Sequence, residues 1–84
     1  MESDKSLKKK IIFRSSHRGT KEMDILLNSF VKKHINCLNT KELKQLERLL
    51  DIEDDIIYSW YMKNESQDKI DENSLTLKLK NFKL

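Results

Sequence analysis

Residues 17–38 read HRGTKEMDILLNSFVKKHINCL, and the second half of this stretch decides the fold. Met23, Leu26, Leu27, Phe30, Val31, His34, Ile35 and Leu38 recur at the alternating three-and-one spacing of a single apolar stripe on an α-helix, sustained over four turns. The first half sets where that helix begins. Gly19 is the only glycine in 84 residues, and the chain has no proline. A glycine just past a helix end can take the left-handed conformation that other residues resist, so Gly19 is expected to close the preceding helix in that way. Thr20 then stands at the N-cap, and Glu22 falls in the first turn, where the helix dipole favours a carboxylate. The segment reads as an interhelical corner.

The same reading extends outward. Without Asn-Gly, Asp-Gly or Gly-rich pairs the chain lacks the signals that punctuate hairpins, so helices joined by short polar links are expected. A helix over roughly residues 5–17 would bury Leu7 and Ile11, with Ile12 and Phe13 beside them, and stop near Gly19. Downstream, Asn39 with Glu42 three positions on forms a capping-box pattern for a helix whose Leu43, Leu46, Leu49 and Leu50 face inward. The acidic run Glu53-Asp54-Asp55 suits the start of a fourth helix presenting Ile56, Ile57, Trp60 and Tyr61. Trp60 is read as a core residue. At the C-terminal end, Leu75, Leu77 and Leu79 alternate as in a strand, yet Leu75, Leu79 and Phe82 fit a helical stripe. A lone strand would have no partner, so helix is expected. The fold class is all-α, one small domain over residues 1–84 with the stripe helix at its centre and residues 1–6 as a candidate disordered lead.

Composition narrows the function. Hydrophobic and charged residues each make up 37% of the chain, which describes a thin core under a heavily charged exterior; at this length only about 60–65% of the unfolded chain's surface is buried. No apolar run approaches the roughly 20 residues of a membrane helix, so no membrane insertion is expected. The opening MESDKSLKKK reads as neither a secretory signal nor a transit sequence. Cys37 is the one cysteine and cannot form an internal disulfide, which points to a reducing, cytoplasmic compartment. Residues 1–21 carry seven Lys/Arg against two acids, and residues 40–62 carry three against six. That polarity admits a nucleic-acid or acidic-protein partner at the basic end. It equally describes a solvated lysine-rich helix.

Catalytic and metal patterns are missing. His34 and Cys37 are neighbours at i, i+3, but both lie on or beside the apolar stripe and read as a packed histidine and a buried thiol. The Asp51–Asp55 acids lack the glycine that an EF-hand loop needs at its sixth position, where Ile56 stands. One glycine cannot build a phosphate-binding loop. The chemistry available at the corner is docking. Arg18 can offer a planar fork to a carboxylate or phosphate, Glu22 can accept or pair, and Gly19 lets another backbone come close. The plain alternative is an Arg18–Glu22 ion pair across the turn, worth about 0–1 kcal/mol.

The stretch RGTKEMDILLNSF resembles the Arg-Gly-x-x-Glu-(Leu/Met)-Asp-(Leu/Ile) signature of the succinate dehydrogenase assembly factors that promote covalent flavin attachment. LERLLDIEDDIIYSWYM is similar to the same family's leucine pair, acidic cluster, apolar pair and tryptophan. The resemblance covers roughly residues 8–82. It implies a five-helix bundle of the bacterial form, related to mitochondrial assembly factor 2, that is not an enzyme and holds no cofactor tightly. It further implies that the chain binds the flavoprotein subunit of succinate dehydrogenase, and for many members that of fumarate reductase, and favours linkage of FAD to a histidine of that subunit. Whether the factor touches FAD is left open. The family's partner-binding motif falls on Arg18, Gly19 and Glu22, with Asp24 continuing it. His17 stands where many members carry a second basic residue, and Asp55 where many have proline. A basic helical nucleic-acid-binding domain and an interaction domain for an unrelated partner are the other readings, the first weakened by the lack of a basic recognition helix.

Overall fold

A computed structural model of the chain describes residues 3–83. These form five α-helices: α1 (Asp4–Ser15), α2 (Lys21–His34), which runs into a 3₁₀ turn at Ile35–Cys37, α3 (Thr40–Leu50), α4 (Asp54–Met62) and α5 (Ser74–Asn81). No strand occurs among the described residues, so the all-α expectation holds. Of the lead expected to lack order, residues 1 and 2 lie outside the described residues, and Ser3 caps α1 by accepting the Ser6 N–H. No helix among the described residues is long and apolar enough to cross a membrane.

The core is one cluster fed by every helix: Leu7 and Ile11 of α1, the stripe of α2, the four leucines of α3, Ile57 of α4, and Leu75 and Leu79 of α5. The closest helix pairings are α1 with α3 and with α2, and α3 with α5. Met23, Leu26, Leu27, Phe30, Val31, Ile35 and Leu38 of the α2 stripe are buried as read, and His34 is half-buried.

Two caps fix the order of the later elements. In α3 the Glu42 N–H donates to Asn39 Oδ1 at 2.8 Å and the Asn39 N–H to Glu42 Oε1 at 3.3 Å, closing the expected capping box. Before α5, Asn73 and Thr76 repeat it, with the Thr76 N–H on Asn73 Oδ1 (2.8 Å) and the Asn73 N–H on Thr76 Oγ1 (2.9 Å). This cap starts a helix at Ser74 and settles the strand-like alternation, because on a helix Leu77 points away from Leu75 and Leu79 and is 63% exposed.

Several expectations are corrected. Phe13 is 63% exposed and Ile12 41%, because residues one and two positions beyond Ile11 are rotated about 100° and 200° from it on a helix. Trp60 packs against the core as read but stays half-buried, with the Lys80 ammonium 4.6 Å from its ring centre. Cys37 is exposed: in a 3₁₀ turn residues i and i+3 eclipse, so Ile35 and Leu38 face the core and Cys37 turns out. The α4–α5 link spans residues 63–73 and is not short. It contains the one non-glycine residue with positive φ among those described, Asn64 at 57°, and the N–H groups of Lys63 and Glu65 both donate to the Ser59 carbonyl there.

Candidate functional site

The corner between α1 and α2 is built without the glycine conformation the sequence suggested. α1 ends at Ser15, four residues before Gly19. Its last carbonyls are satisfied by the Ser16 N–H on Arg14 and Phe13, while the Ser15 hydroxyl donates to the Ile12 carbonyl at 2.9 Å. Ser16 Oγ lies 3.1 Å from Asn28 Oδ1, tying the end of α1 to α2. Gly19 has no positive φ. The left-handed position belongs to Asn64 instead.

The corner is held from the far side of the sequence by Asp54, the first residue of α4. One carboxylate oxygen, Oδ1, accepts the Arg18 Nε–H at 2.8 Å and lies 2.5 Å from Arg18 Nη2. The other, Oδ2, accepts the Gly19 N–H at 2.8 Å. Arg18 also donates from Nη1 to the Leu50 carbonyl (2.7 Å) and from Nη2 to the Ile52 carbonyl (3.0 Å), which are acceptors at the end of α3. The two side chains are only 9% and 14% exposed. Arg18 thus does not pair with Glu22, and its fork is turned inward. It locks the α3–α4 link to the α1–α2 corner through charge-assisted hydrogen bonds, which are the strong ones.

What faces solvent is different. Gly19 is exposed, and a Cβ built on it would meet nothing closer than Asp54 Oδ2 at 3.4 Å, an ordinary contact. Neither backbone strain nor crowding inside the chain therefore demands glycine there. Thr20 caps α2, accepting the Met23 N–H at 3.3 Å. Glu22 is exposed, and its carboxylate makes no ion pair or hydrogen bond among the described residues. Asp24 is half-buried, and its Oδ1 is sealed from solvent with no hydrogen-bond partner there. His17 is exposed and stacks on Phe13 with ring centres 4.1 Å apart. Its Nδ1 lies 2.7 Å from the Phe13 carbonyl, so in the neutral ring Nδ1 carries the hydrogen and Nε2 is left as an acceptor.

The five motif residues consequently separate into an inward member, Arg18, and outward members at His17, Gly19 and Glu22, with Asp24 between. Sequence reasoning missed Asp54 as a site residue. Its place at a helix start explained it fully without a partner, and Glu22, four residues from Arg18, already stood as a carboxylate for the arginine. It also missed the exposed aromatic at Phe13.

A second polar cluster lies away from the corner. Glu42, 5% exposed, accepts from the Ser74 hydroxyl at 3.0 Å and pairs with Lys78 at 2.8 Å. The Lys78 ammonium, with the Asn39 N–H and Ser74 hydroxyl, holds its carboxyl below the ordinary value against the opposing effect of burial. His34, which packs against Phe30 and Phe82 in a cluster of three rings, is lowered by burial first and then by Lys33 and Lys78. Both are structural positions.

Comparison with known proteins gives one consistent result. Residues 9–83 match the family model described as flavinator of succinate dehydrogenase. The chain is 38% identical over 63 residues to succinate dehydrogenase assembly factor 2, mitochondrial, of Meyerozyma guilliermondii, covering 75% of this chain and 47% of that protein. It is 44% identical over 55 residues to the protein of the same name from Scheffersomyces stipitis, covering 66% and 37%. It is also 34% identical over 53 residues to the FAD assembly factor SdhE of Acetobacter pasteurianus, covering 63% and 49%. The matched regions span about half or less of these relatives' lengths.

Proposed function

Because the chain belongs to the succinate dehydrogenase flavinator family, we propose that it is an assembly factor that binds the flavoprotein subunit of succinate dehydrogenase, and that of fumarate reductase by the same surface, and promotes covalent attachment of FAD to that subunit. The observation that carries this reading is the corner glycine. It is exposed, adopts no left-handed conformation and, among the described residues beyond its chain neighbours, is crowded by nothing, which leaves its bare Cα open to the close approach of a partner. In this reading Glu22 and His17 make the polar contacts with the flavoprotein, Gly19 allows its backbone to come close, and Arg18 with Asp54 holds the corner in shape.

The chain assists and does not itself catalyse. Linking a flavin to a histidine requires the two to be held in line, and a partner contributes by binding the flavoprotein conformation that holds them so. FAD remains the partner's. The apolar groove beside the corner has a volume of about 220 Å³, below the 300–1,000 Å³ usual for small-molecule sites. A larger depression of about 570 Å³ over the 63–73 link carries Glu65 and Glu72 on its lining, and its Lys80 is donated to the Trp60 carbonyl. Neither suits a pyrophosphate. A reducing, cytoplasmic setting belongs to the proposal and is supported by the free thiol at Cys37.

The test is co-expression of the flavoprotein subunit with wild-type, Gly19→Arg or Arg18→Ala factor, reading covalent flavin by in-gel fluorescence after denaturation. Both variants are expected to lower flavinylation, Gly19→Arg with its helical circular dichroism intact. Normal flavinylation with both refutes the proposal.

A further inference from the structure

The surface immediately beyond Glu22 has a shape the fold does not account for. Ile25 on α2 and Tyr58 and Met62 on α4 are 47%, 36% and 57% exposed, yet they flank a groove floored by the buried Met23 and Leu26. Tyr58 and Met62, four apart, stand one above the other on α4, as Glu22 and Ile25 do on α2. The groove is apolar except at Glu22, the one charged residue among the described residues that line it. That carboxylate has no partner within the described residues. A protein of net charge +3 thus presents an apolar slot with an isolated negative charge at the end where the slot meets the corner.

We infer that this α2–α4 groove receives one large apolar side chain of the flavoprotein subunit, from a segment that carries a lysine or arginine next to it to pair with Glu22. The inference rests on the proposed function for the partner and adds how that partner is gripped. The volume of about 220 Å³ suits a side chain and not a cofactor. Glu22 belongs to both corner and groove, so a backbone lying flush on Gly19 leads directly into the slot. Charge complementarity selects the occupant: an acidic segment would be repelled by Glu22, while an uncharged one would leave its carboxylate desolvated and unpaired. Apolar anchors in a desolvated pocket are where interface energy concentrates, so the groove supplies affinity and the bare corner supplies fit.

The experiment measures affinity of purified full-length factor for the purified flavoprotein subunit by interferometry at two salt concentrations. The variants are Met62→Glu, Ile25→Glu, Glu22→Gln and Glu22→Lys, with Leu77→Glu as an equally exposed apolar site outside the groove. Each replaced side chain is exposed, so helical content and melting temperature should match wild type. Met62→Glu and Ile25→Glu are expected to weaken binding at least tenfold and Leu77→Glu less than twofold. Glu22→Gln should flatten the salt dependence, and Glu22→Lys should weaken binding further than Glu22→Gln. Groove variants that bind like wild type while Gly19→Arg does not would overturn this inference and leave the corner standing. A wild-type factor that fails to bind the subunit would instead overturn the proposed function. Sedimentation showing a wild-type dimer that Met62→Glu dissociates would assign the groove to a second copy of this chain and overturn the inference as well.

Discussion

Replacing Gly19 by alanine separates a glycine the fold needs from one a partner needs. In the folded chain the added methyl carbon would stand 3.4 Å from Asp54 Oδ2 and, beyond the flanking residues, within 4 Å of no other described residue, and the backbone there has no positive φ. The Gly19 N–H bond to Asp54 Oδ2 uses the backbone and survives the change. With no native penalty, the main effect falls on the unfolded chain, whose freedom alanine reduces; compatible glycine-to-alanine changes stabilise by about 0.4–1 kcal/mol. For a domain of this size 1 kcal/mol shifts the melting temperature by about 4–8 °C, so Gly19→Ala should melt about 2–8 °C higher. Circular dichroism at 222 nm during a reversible thermal scan reads this directly, since a small single domain unfolds in one step. A melting temperature lowered by several degrees would refute the reasoning, because it would mean that the chain itself requires glycine at this corner. The functional claim would then lose its support.

Two further predictions concern the chain's internal charges. Arg18→Ala should destabilise by about 2–4 kcal/mol, since it strands a nearly buried Asp54 carboxylate and frees the Leu50 and Ile52 carbonyls. Asp54→Ala should cost a similar amount, and chemical denaturation of the double variant should show a coupling of about 1–3 kcal/mol; additive losses would show that the pair does not act as a unit. Stability should also fall on acidification in two stages. His34, lowered from 6.5, binds a proton less readily folded than unfolded, so stability present above pH 6.5 declines as the pH drops below it. Glu42, lowered from 4.5, adds a second decline below about pH 4.5, lost as the pH passes through its folded value. Denaturation midpoints measured from pH 8 to 3 should lose the first stage in His34→Gln and much of the second in Glu42→Gln, and unchanged profiles would refute the assignment.

The sequence made legible what depends on local spacing. The α2 stripe, the Asn39–Glu42 box and the leucines of α3 are patterns within four residues, and each appears as read. The helix at α5 was legible for the same reason once a strand had no partner. What stayed hidden depends on contacts made at a distance or on fine changes of pitch. Phe13 could not be placed because Ile11, Ile12 and Phe13 cannot all share one helix face, and only the positions of α2 and α3 select Ile11. Cys37 turned outward because the last turn tightens to 3₁₀, a change of about 20° per residue that no composition rule reports. Asp54 reaches Arg18 across 36 positions. Its role as a helix-start acid was enough to explain it, so its second role left no trace.

That second role explains how so small a bundle can offer a defined surface. Binding costs the ordering of whatever is loose beforehand, and a corner without proline or a left-handed glycine would have little of its own to fix it. Asp54 supplies the restraint by accepting from the side chain of one corner residue and the backbone of the next, while Arg18 extends the same network into the end of α3. The arginine of the motif is thereby used up inside the molecule, and the glutamate four residues on, left unpaired, is what the molecule has to offer outside. The two charges look equivalent in the sequence, but one organises the corner and the other is left facing solvent. It follows that a lysine at position 18, a point charge without the fork's directed N–H groups, would loosen the corner even though it keeps the charge.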